Sequence, residues 1–387
     1  MARLVAFGNP MQDVTFGVDA AFYERFGLKG GIELRRGIEA HRKILAAAHE
    51  GREAQYGAGG SALNSAKAFV WSLRKVGTSE DEELTGAATM VGAIGDDAEG
   101  QRLEDGCRAC GIVPELQQVT GVNTGVCVVL VGDEDAGKDR CLFSIQGAYK
   151  LYDPKPLQAA LEEAARPKAD PSSSPGLAEQ LREARILYAT AFTLTNDNRA
   201  EAVASFFAFG NPDRIPEQGT PVSESKRRTV ALNLSSAGLY GGGMSVMHRL
   251  LPLLPLVDVL FGNEEEMRSF AAELLGRDVR PELQEILGGV AEHLRAGATL
   301  VVTRGAEATA VARVGNDAGS ECEARLRTIQ VRVPPLEAPL VNTNGAGDAF
   351  VGGFLAGLGL GLELESCCAM GHNAAAKVLL QADAGIL

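Results

Sequence analysis

Cysteine, histidine and tryptophan are scarce in this chain of 387 residues, which has seven, five and one of them. The cysteines are odd in number and scattered, at 107, 110, 127, 141, 322, 367 and 368. Such a set suits no disulfide framework and fits a reducing compartment, so a cytoplasmic protein is expected. Cys107-Arg-Ala-Cys110 has the spacing of a redox or metal pair. It stands without a second pair, so two thiols on one helix face are expected there. Positive charge is also short: the net charge of −13 excludes a general nucleic-acid binder, which needs a basic surface. A single nucleotide is not excluded, because a few local donors can hold it. Long apolar runs are missing too. The best candidate, Leu250 to Phe261, is broken by Pro252, Pro255 and Asp258 and falls short of the roughly 18 residues a membrane helix needs. Met1 to Gly8 reads as a strand entering a turn and not as a signal peptide.

Glycine is plentiful, at 46 residues, which points to many tight turns and close backbone approaches. Short aliphatic runs alternate with helical stretches. Leu4–Phe7, Thr89–Ala93, Ile186–Ala189, Thr229–Leu234, Val257–Phe261 and Leu300–Thr303 read as buried strands. Ser61–Val76, Arg199–Phe209 and Val279–Ala296 read as helices between them. That rhythm predicts an α/β fold, a mostly parallel sheet covered on both faces. Two places break it. Residues 14–56 form a less regular excursion, and Thr124–Ile145 reads as a hairpin with a polar turn through Gly132–Lys138. The polar, Pro- and Ser-rich stretches at 170–175 and 211–228 read as surface loops.

The strongest chemical signal is Asn342-Thr-Asn-Gly345-Ala346-Gly347-Asp348-Ala-Phe350-Val-Gly352-Gly353, which opens a helix of small and apolar residues. Gly345 and Gly347 let consecutive N–H groups converge at the helix start, where the dipole adds to a site for anionic oxygen. A carboxylate at the edge of such a site, Asp348, is most useful as a base for an attacking hydroxyl. A helix cap is the simpler alternative for that residue. A second glycine-rich run, Tyr56-Gly-Ala-Gly59-Gly60-Ser61-Ala-Leu-Asn64-Ser65-Ala-Lys67, permits a ligand to approach the backbone, with Asn64 able to donate to and accept from sugar hydroxyls. It lacks the Gly-x-Gly-x-x-Gly spacing of a dinucleotide loop.

Together these two runs resemble the C-terminal and N-terminal signatures of the PfkB (ribokinase-like) carbohydrate and nucleoside kinases. The Ala-Gly-Gly-Ser-x-x-Asn-Ser-x-Lys form is most similar to the adenosine kinases of eukaryotic type. The resemblance spans most of the chain, from Gly8 to Ala375. It implies a three-layer α/β/α sandwich with a small β lid. The large domain would comprise 1–13, 57–119 and 147–387, and the lid 14–56 and 120–146. It implies phosphoryl transfer from ATP, with Mg²⁺, to the 5′-hydroxyl of adenosine by a monomer. Asp348 would be the base, and Gly345, Ala346 and Gly347 donors to the γ-phosphate. Arg140 would reach the transferring phosphate from the hairpin, its planar fork of donors matching phosphate oxygens. The family usually begins the C-terminal signature with Asp, where this chain has Asn342, one charge fewer beside the phosphates.

Gly8-Asn-Pro-Met-Gln-Asp13 reads as the end of the first strand, and by the same resemblance Asp13 grips the ribose diol, together with Gly59, Gly60, Ser61 and Asn64. Phe192 either stacks on the base or sits in the core. Asn263 and Glu266, in Gly262-Asn-Glu-Glu-Glu266, resemble the motif that organises Mg²⁺, with Glu266 acting through water. Asn233, Thr303, Gly305 and Asn373 fall where the family contacts ATP, and His372 reads as a packed helix residue. Val91–Gly100 resembles a structural turn of the family. A kinase for another nucleoside or for a sugar such as ribose stays open, as does a catalytically weak adenosine-binding paralogue.

Overall fold

In a computed structural model of the chain, the described residues are 3–28, 32–34, 37–77, 84–133, 140–166, 176–211, 227–241, 245–276, 282–315, 326–341 and 343–381. Ile32, Glu33 and Arg140 are described by their backbone alone. Fourteen strands form two sheets among these residues. The large sheet contains β1 (Leu4–Phe7), β5 (Ala88–Gly95), β6 (Ile112–Val119), β9 (Ile186–Thr190), β10 (Thr229–Asn233), β11 (Val259–Asn263), β12 (Thr299–Arg304), β13 (Glu307–Val314) and β14 (Leu326–Val331). Their order is β14-β13-β12-β11-β10-β9-β1-β5-β6. The pairings from β6 to β12 are parallel, and β13 and β14 add an antiparallel edge.

The small sheet contains β2 (Met11–Val18), β3 (Ile32–Glu33), β4 (Ala54–Gly59), β7 (Gly125–Gly132) and β8 (Arg140–Ile145), in the order β3-β8-β7-β2-β4. In it β2 begins at Met11 and the edge strand β4 ends at Gly59, and the expected hairpin is its β7–β8 pair. The helices are α1 (Ala20–Phe26), α2 (Ile38–His49), α3 (Ser61–Val76), α4 (Ala98–Ala109), α5 (Lys155–Ala165), α6 (Leu177–Glu183), α7 (Asp197–Gly210), α8 (Met247–Leu250), α9 (Glu264–Leu275), α10 (Leu283–Ala291), α11 (Ala346–Gly359) and α12 (Leu364–Leu379). The excursion at 14–56 is therefore regular: it holds α1, α2 and β3 between the two long strands β2 and β4. Its pattern is hard to read because α1 has only seven residues and β3 only two.

Side chains alternate across each strand, so β1 sends Val5 and Phe7 to one face and Leu4 and Ala6 to the other. The first face packs against α5, α6, α7, α9 and α10, the second against α3, α4, α11 and α12. Burial on both faces is why the strands read as unbroken aliphatic runs. The small sheet has its own core, where Val14, Phe16, Leu130 and Phe143 meet Phe22 and Ile44 of α1 and α2. The turn after β5 ties the two sheets together. Asp97 accepts from the Thr124 N–H (2.7 Å) and hydroxyl (2.6 Å) at the start of the hairpin, and from Gly100 N–H (2.8 Å). The 170–175 stretch and residues 212–226 lie outside the described residues.

Helices α3 and α11 pack backbone to backbone on the second face. At Gly352 a Cβ would overlap the Ser65 carbonyl oxygen and lie 2.6 Å from Ala68 Cβ and 2.8 Å from Phe69 N. Backbone cannot yield as a side chain can, so Gly352→Ala forces the helices apart. The substitution is expected to destabilise the fold by about 2 kcal/mol or more in urea unfolding. A loss below about 0.5 kcal/mol would show that the contact is slack.

Candidate active site

The helix pair brings two N-termini to one point. Each is opened by a glycine with positive φ, Gly60 (φ 103°) before α3 and Gly345 (φ 78°) before α11, and neither has a side-chain cap. A Cβ at Gly60 would overlap the Asn9 carbonyl oxygen, so glycine is required there on both counts. Ser61 in the first turn of α3 donates to Asp348 Oδ1 (2.6 Å), and Asn64 Nδ2 donates to Asp348 Oδ2 (3.3 Å). The N–H groups of Gly347 and Asp348 have no acceptor among the described residues. Open donors and two converging dipoles favour an anion at this point.

Two cavities meet here, and both are lined by residues at the carboxyl ends of the parallel strands, where open α/β sheets bind ligands. The smaller, about 130 Å³, is lined by Asn233, Ser235, Gly262, Asn263, Glu266, Thr303, Gly345, Gly347, Asp348 and Phe350, among others. The larger, about 720 Å³, lies between the sheets and is lined by Asn9, Met11, Leu34, Ile38, His41, Gly60, Ser61, Gln146, Tyr149, Phe192, Thr195 and Ser236, among others. Its size is that of a small-molecule site. The Ser61–Asp348 hydrogen bond joins the two, since Ser61 lines one cavity and Asp348 the other. Ser235 and Ser236 divide in the same way. Ser235 has φ 68°, the one positive φ outside glycine among the described residues, a conformation that costs of order 1 kcal/mol or more.

Three carboxylates crowd this junction. Burial pushes Asp348 up to about 6, against the lowering effect of its bonds from Ser61 and Asn64. Burial pushes Asp13 up to about 7, with Lys67 opposing and Asp348 adding. Burial also pushes Glu266 up to about 7, its bond from Asn263 N–H opposing and Asp348 adding. Asn263 and Glu266 cap α9 reciprocally, at 3.0 and 2.8 Å. Below them Ser65 Oγ meets the buried Tyr188 hydroxyl (3.1 Å).

The expected site residues are brought together unevenly. Asp348, Gly345, Gly347, Asn233, Asn263, Glu266 and Thr303 line one cavity, and Gly60, Ser61 and Phe192 the other. Ala346 is the first residue of α11 and touches neither. Asp13 does not end β1. It is the third residue of β2, and Gly59 leaves the space its carboxylate occupies, which any Cβ would fill. Gly305 turns β12 into β13 with φ 63° and lines neither cavity, and nor does the exposed Asn373. His372 is packed as expected, stacked on Phe350 with Nε2 2.9 Å from Thr309 Oγ1. The side chain of Arg140, and Asn342, lie outside the described residues. Cys107 and Cys110 are buried, burial pushes Cys107 up to about 12, and no metal-binding cluster occurs among the described residues. Nor is any described helix long and apolar enough to cross a membrane.

Sequence reasoning missed His41, Gln146, Tyr149, Thr195 and Tyr188. Each is a lone residue in an ordinary context: His41 lies within α2, Tyr188 within β9, and Gln146, Tyr149 and Thr195 follow the ends of β8 and β9.

Carboxylates that bind protons more readily folded than unfolded make stability fall as pH rises, here from about 4 through about 7. Asp348→Asn removes one of the three repelling charges. The variant is expected to be more stable than the parent by about 1–3 kcal/mol at pH 8, with the gain fading towards pH 4. Urea unfolding at both pH values checks this, and a variant less stable at pH 8 would contradict it.

Residues 36–166 and 230–386 match the pfkB family carbohydrate kinase family. The chain is 27% identical to adenosine kinase 1 of Arabidopsis thaliana over 97% of its own length and 93% of the relative's. The solved adenosine kinase of Anopheles gambiae, in complex with P1,P4-di(adenosine-5) tetraphosphate, superposes with a TM-score of 0.73 and 25% identity, covering 98% and 95% of the two chains. That of Trypanosoma brucei brucei superposes with a TM-score of 0.74 and 26% identity, covering 98% and 99%. With its fold, its paired glycine-opened helices and this match over most of its length, the chain belongs to the pfkB family of carbohydrate kinases.

Proposed function

We propose that the chain is an adenosine kinase, transferring the γ-phosphoryl group of ATP to the 5′-hydroxyl of adenosine to give AMP and ADP. One observation carries the reading: Asp348 sits where the two cavities meet, with open helix amides beside it. A phosphoryl acceptor in the larger cavity and a triphosphate in the smaller would face each other across that carboxylate. The Anopheles gambiae relative holds a molecule with an adenosine at each end of a phosphate chain, as such an arrangement requires.

The larger cavity suits a nucleoside, with aromatic and aliphatic walls at Phe192, Tyr149, Leu34 and Ile38 and polar groups at Asn9, Ser61 and Gln146. Asp13, Gly59, Gly60 and Asn64 hold the ribose. A carboxylate held near 6 is ionised at neutral pH yet more basic than an ordinary aspartate, so Asp348 takes the 5′-hydroxyl proton as the oxygen attacks. Gly345, Ala346 and Gly347 offer backbone N–H groups to the γ-phosphoryl oxygens, and Arg140 is assigned to the same oxygens on the family resemblance alone. Asn233, Asn263 and Thr303 contact ATP in the smaller cavity, and Gly305 and Asn373, which line neither cavity, would meet only a part of ATP that extends beyond it. Catalysis is then mostly positioning and fixed dipoles.

Mg²⁺ fits the smaller cavity. Glu266 and Asp348 are hard oxygen donors, Asp348 raises Glu266, and neither has a cationic partner among the described residues. Glu266 would hold the ion through water, and the bound ion would neutralise charge on the phosphates. The segments 14–56 and 120–146 act as a lid that excludes water over the larger cavity. The same reading takes the chain as a working monomer of the cytoplasm.

ADP release from Mg-ATP, compared for adenosine, inosine, guanosine, ribose and fructose 6-phosphate at equal concentration, tests the reading. Adenosine is expected to react at least about tenfold faster than the rest, about 1.4 kcal/mol in the barrier. A faster sugar would overturn the substrate, and binding of adenosine without turnover would overturn the activity.

A further inference from the structure

The largest fully buried side chain is an arginine that the transfer chemistry does not use. Arg199, in the first turn of α7, is 1% exposed. Among the described residues no carboxylate pairs with it, and its neighbour Asp197 turns instead to Arg249 (2.5 Å). Its guanidinium donates to Asn9 Oδ1 (2.6 Å), Thr195 Oγ1 (3.0 Å) and the Phe192 carbonyl (3.4 Å), and stands 5.3 Å from the centre of the Tyr149 ring. All four of these residues line the larger cavity, and Arg199 itself does not. Burying a cation without an acid is costly, and a helix N-terminus adds repulsion. Its cost is offset only by what it holds, and everything its side chain holds is one wall of that cavity.

The consequence at Asn9 is specific. A guanidinium has donors only, so the amide atom facing it must be the oxygen. The Asn9 NH₂ group is thereby turned away from Arg199. One of its hydrogens meets the Phe192 carbonyl (3.4 Å), and the other has no partner among the described residues. An amide whose oxygen accepts from a cation is polarised, and its N–H becomes a stronger donor.

We propose that Arg199 is a positioning residue for recognition of the nucleoside base: it fixes Asn9 in one orientation and sharpens it as a donor to a ring nitrogen. This rests on the adenosine kinase reading and names how that site reads its substrate. The wall selects a base with an acceptor nitrogen in the ring, and the aromatic faces of Tyr149 and Phe192 supply the rest of the contact.

The test compares kcat/KM for adenosine and for its 1-, 3- and 7-deaza analogues, each lacking one ring nitrogen, in the wild type, Arg199→Met and Asn9→Asp. Asn9→Asp keeps an oxygen on Arg199, now charged, and removes the NH₂ donor, so it is expected to fold where Arg199→Met fails to. The wild type should turn over adenosine and prefer it at least about tenfold over one analogue, the worth of one hydrogen bond. In both variants that preference should fall below about threefold or invert. A purely structural Arg199 would slow all four nucleosides by one factor and leave the ratios unchanged. Unchanged ratios in a folded variant overturn the proposal, as does a wild type indifferent to all three nitrogens. A wild type that does not phosphorylate adenosine removes the kinase reading first, and this proposal with it.

Discussion

The close approach of α3 and α11 is the constraint on which the rest of the site depends. Gly352 lets α11 lie directly on the backbone of α3 at Ser65 and Phe69. At that separation the two first turns meet, so that Ser61 and Asn64 reach Asp348 across 287 and 284 residues of chain. Both helices begin at a glycine and lack side-chain caps. Their unpaired N–H groups are thus left for a ligand, at the point where the two dipoles add. Neither helix alone would make a site of this kind. Together they hold a carboxylate and an anion hole within one hydrogen-bonding distance of each other.

Electrostatic cost is spread unequally around that point. Asp348, Asp13 and Glu266 are all pushed up by burial, and Asp348 raises the other two further, a concentration of negative charge that stability alone does not favour. Across the larger cavity the opposite occurs, with Arg199 buried without an acid behind Asn9 and Tyr149. A site that holds unneutralised acids at one end and an unneutralised cation at the other is matched to a ligand with uneven charge. A nucleoside whose hydroxyl loses a proton at one end, and whose base offers acceptors at the other, has that character. The strained Ser235 sits between the two regions, at the turn that separates them.

Much of this was legible in the sequence, for identifiable reasons. The parallel strands are buried on both faces, so they stand out as aliphatic runs, and the glycine-rich motifs are contiguous. What sequence could not supply is contact between distant segments. Asp13 reads as the end of the first strand, because Gly8-Asn9-Pro10 looks like a turn that finishes it. In fact the chain re-enters a second sheet at Met11, and the register with β4 sets Gly59 beside the carboxylate. The antiparallel edge of β13 and β14 is not legible because β13 is buried through its middle while β14 is a short, largely polar edge strand. Arg199 follows an ordinary asparagine cap, and nothing in Asn196-Asp-Asn-Arg199 signals a side chain that turns inward. The walls of the larger cavity come from a few residues on each of six separate stretches of chain, which no local motif can announce.

The central claim is that Asp348, held by Ser61 and Asn64 at the junction of the cavities, is the base that activates the acceptor hydroxyl. Its most direct test is turnover of adenosine and Mg-ATP by Asp348→Asn, which keeps the shape of the side chain and removes its basicity. A fall in kcat of roughly 10²–10⁴-fold, with a smaller change in KM, is the predicted result. Turnover close to that of the parent would contradict the account, because the geometry of the junction would then serve binding and not proton transfer.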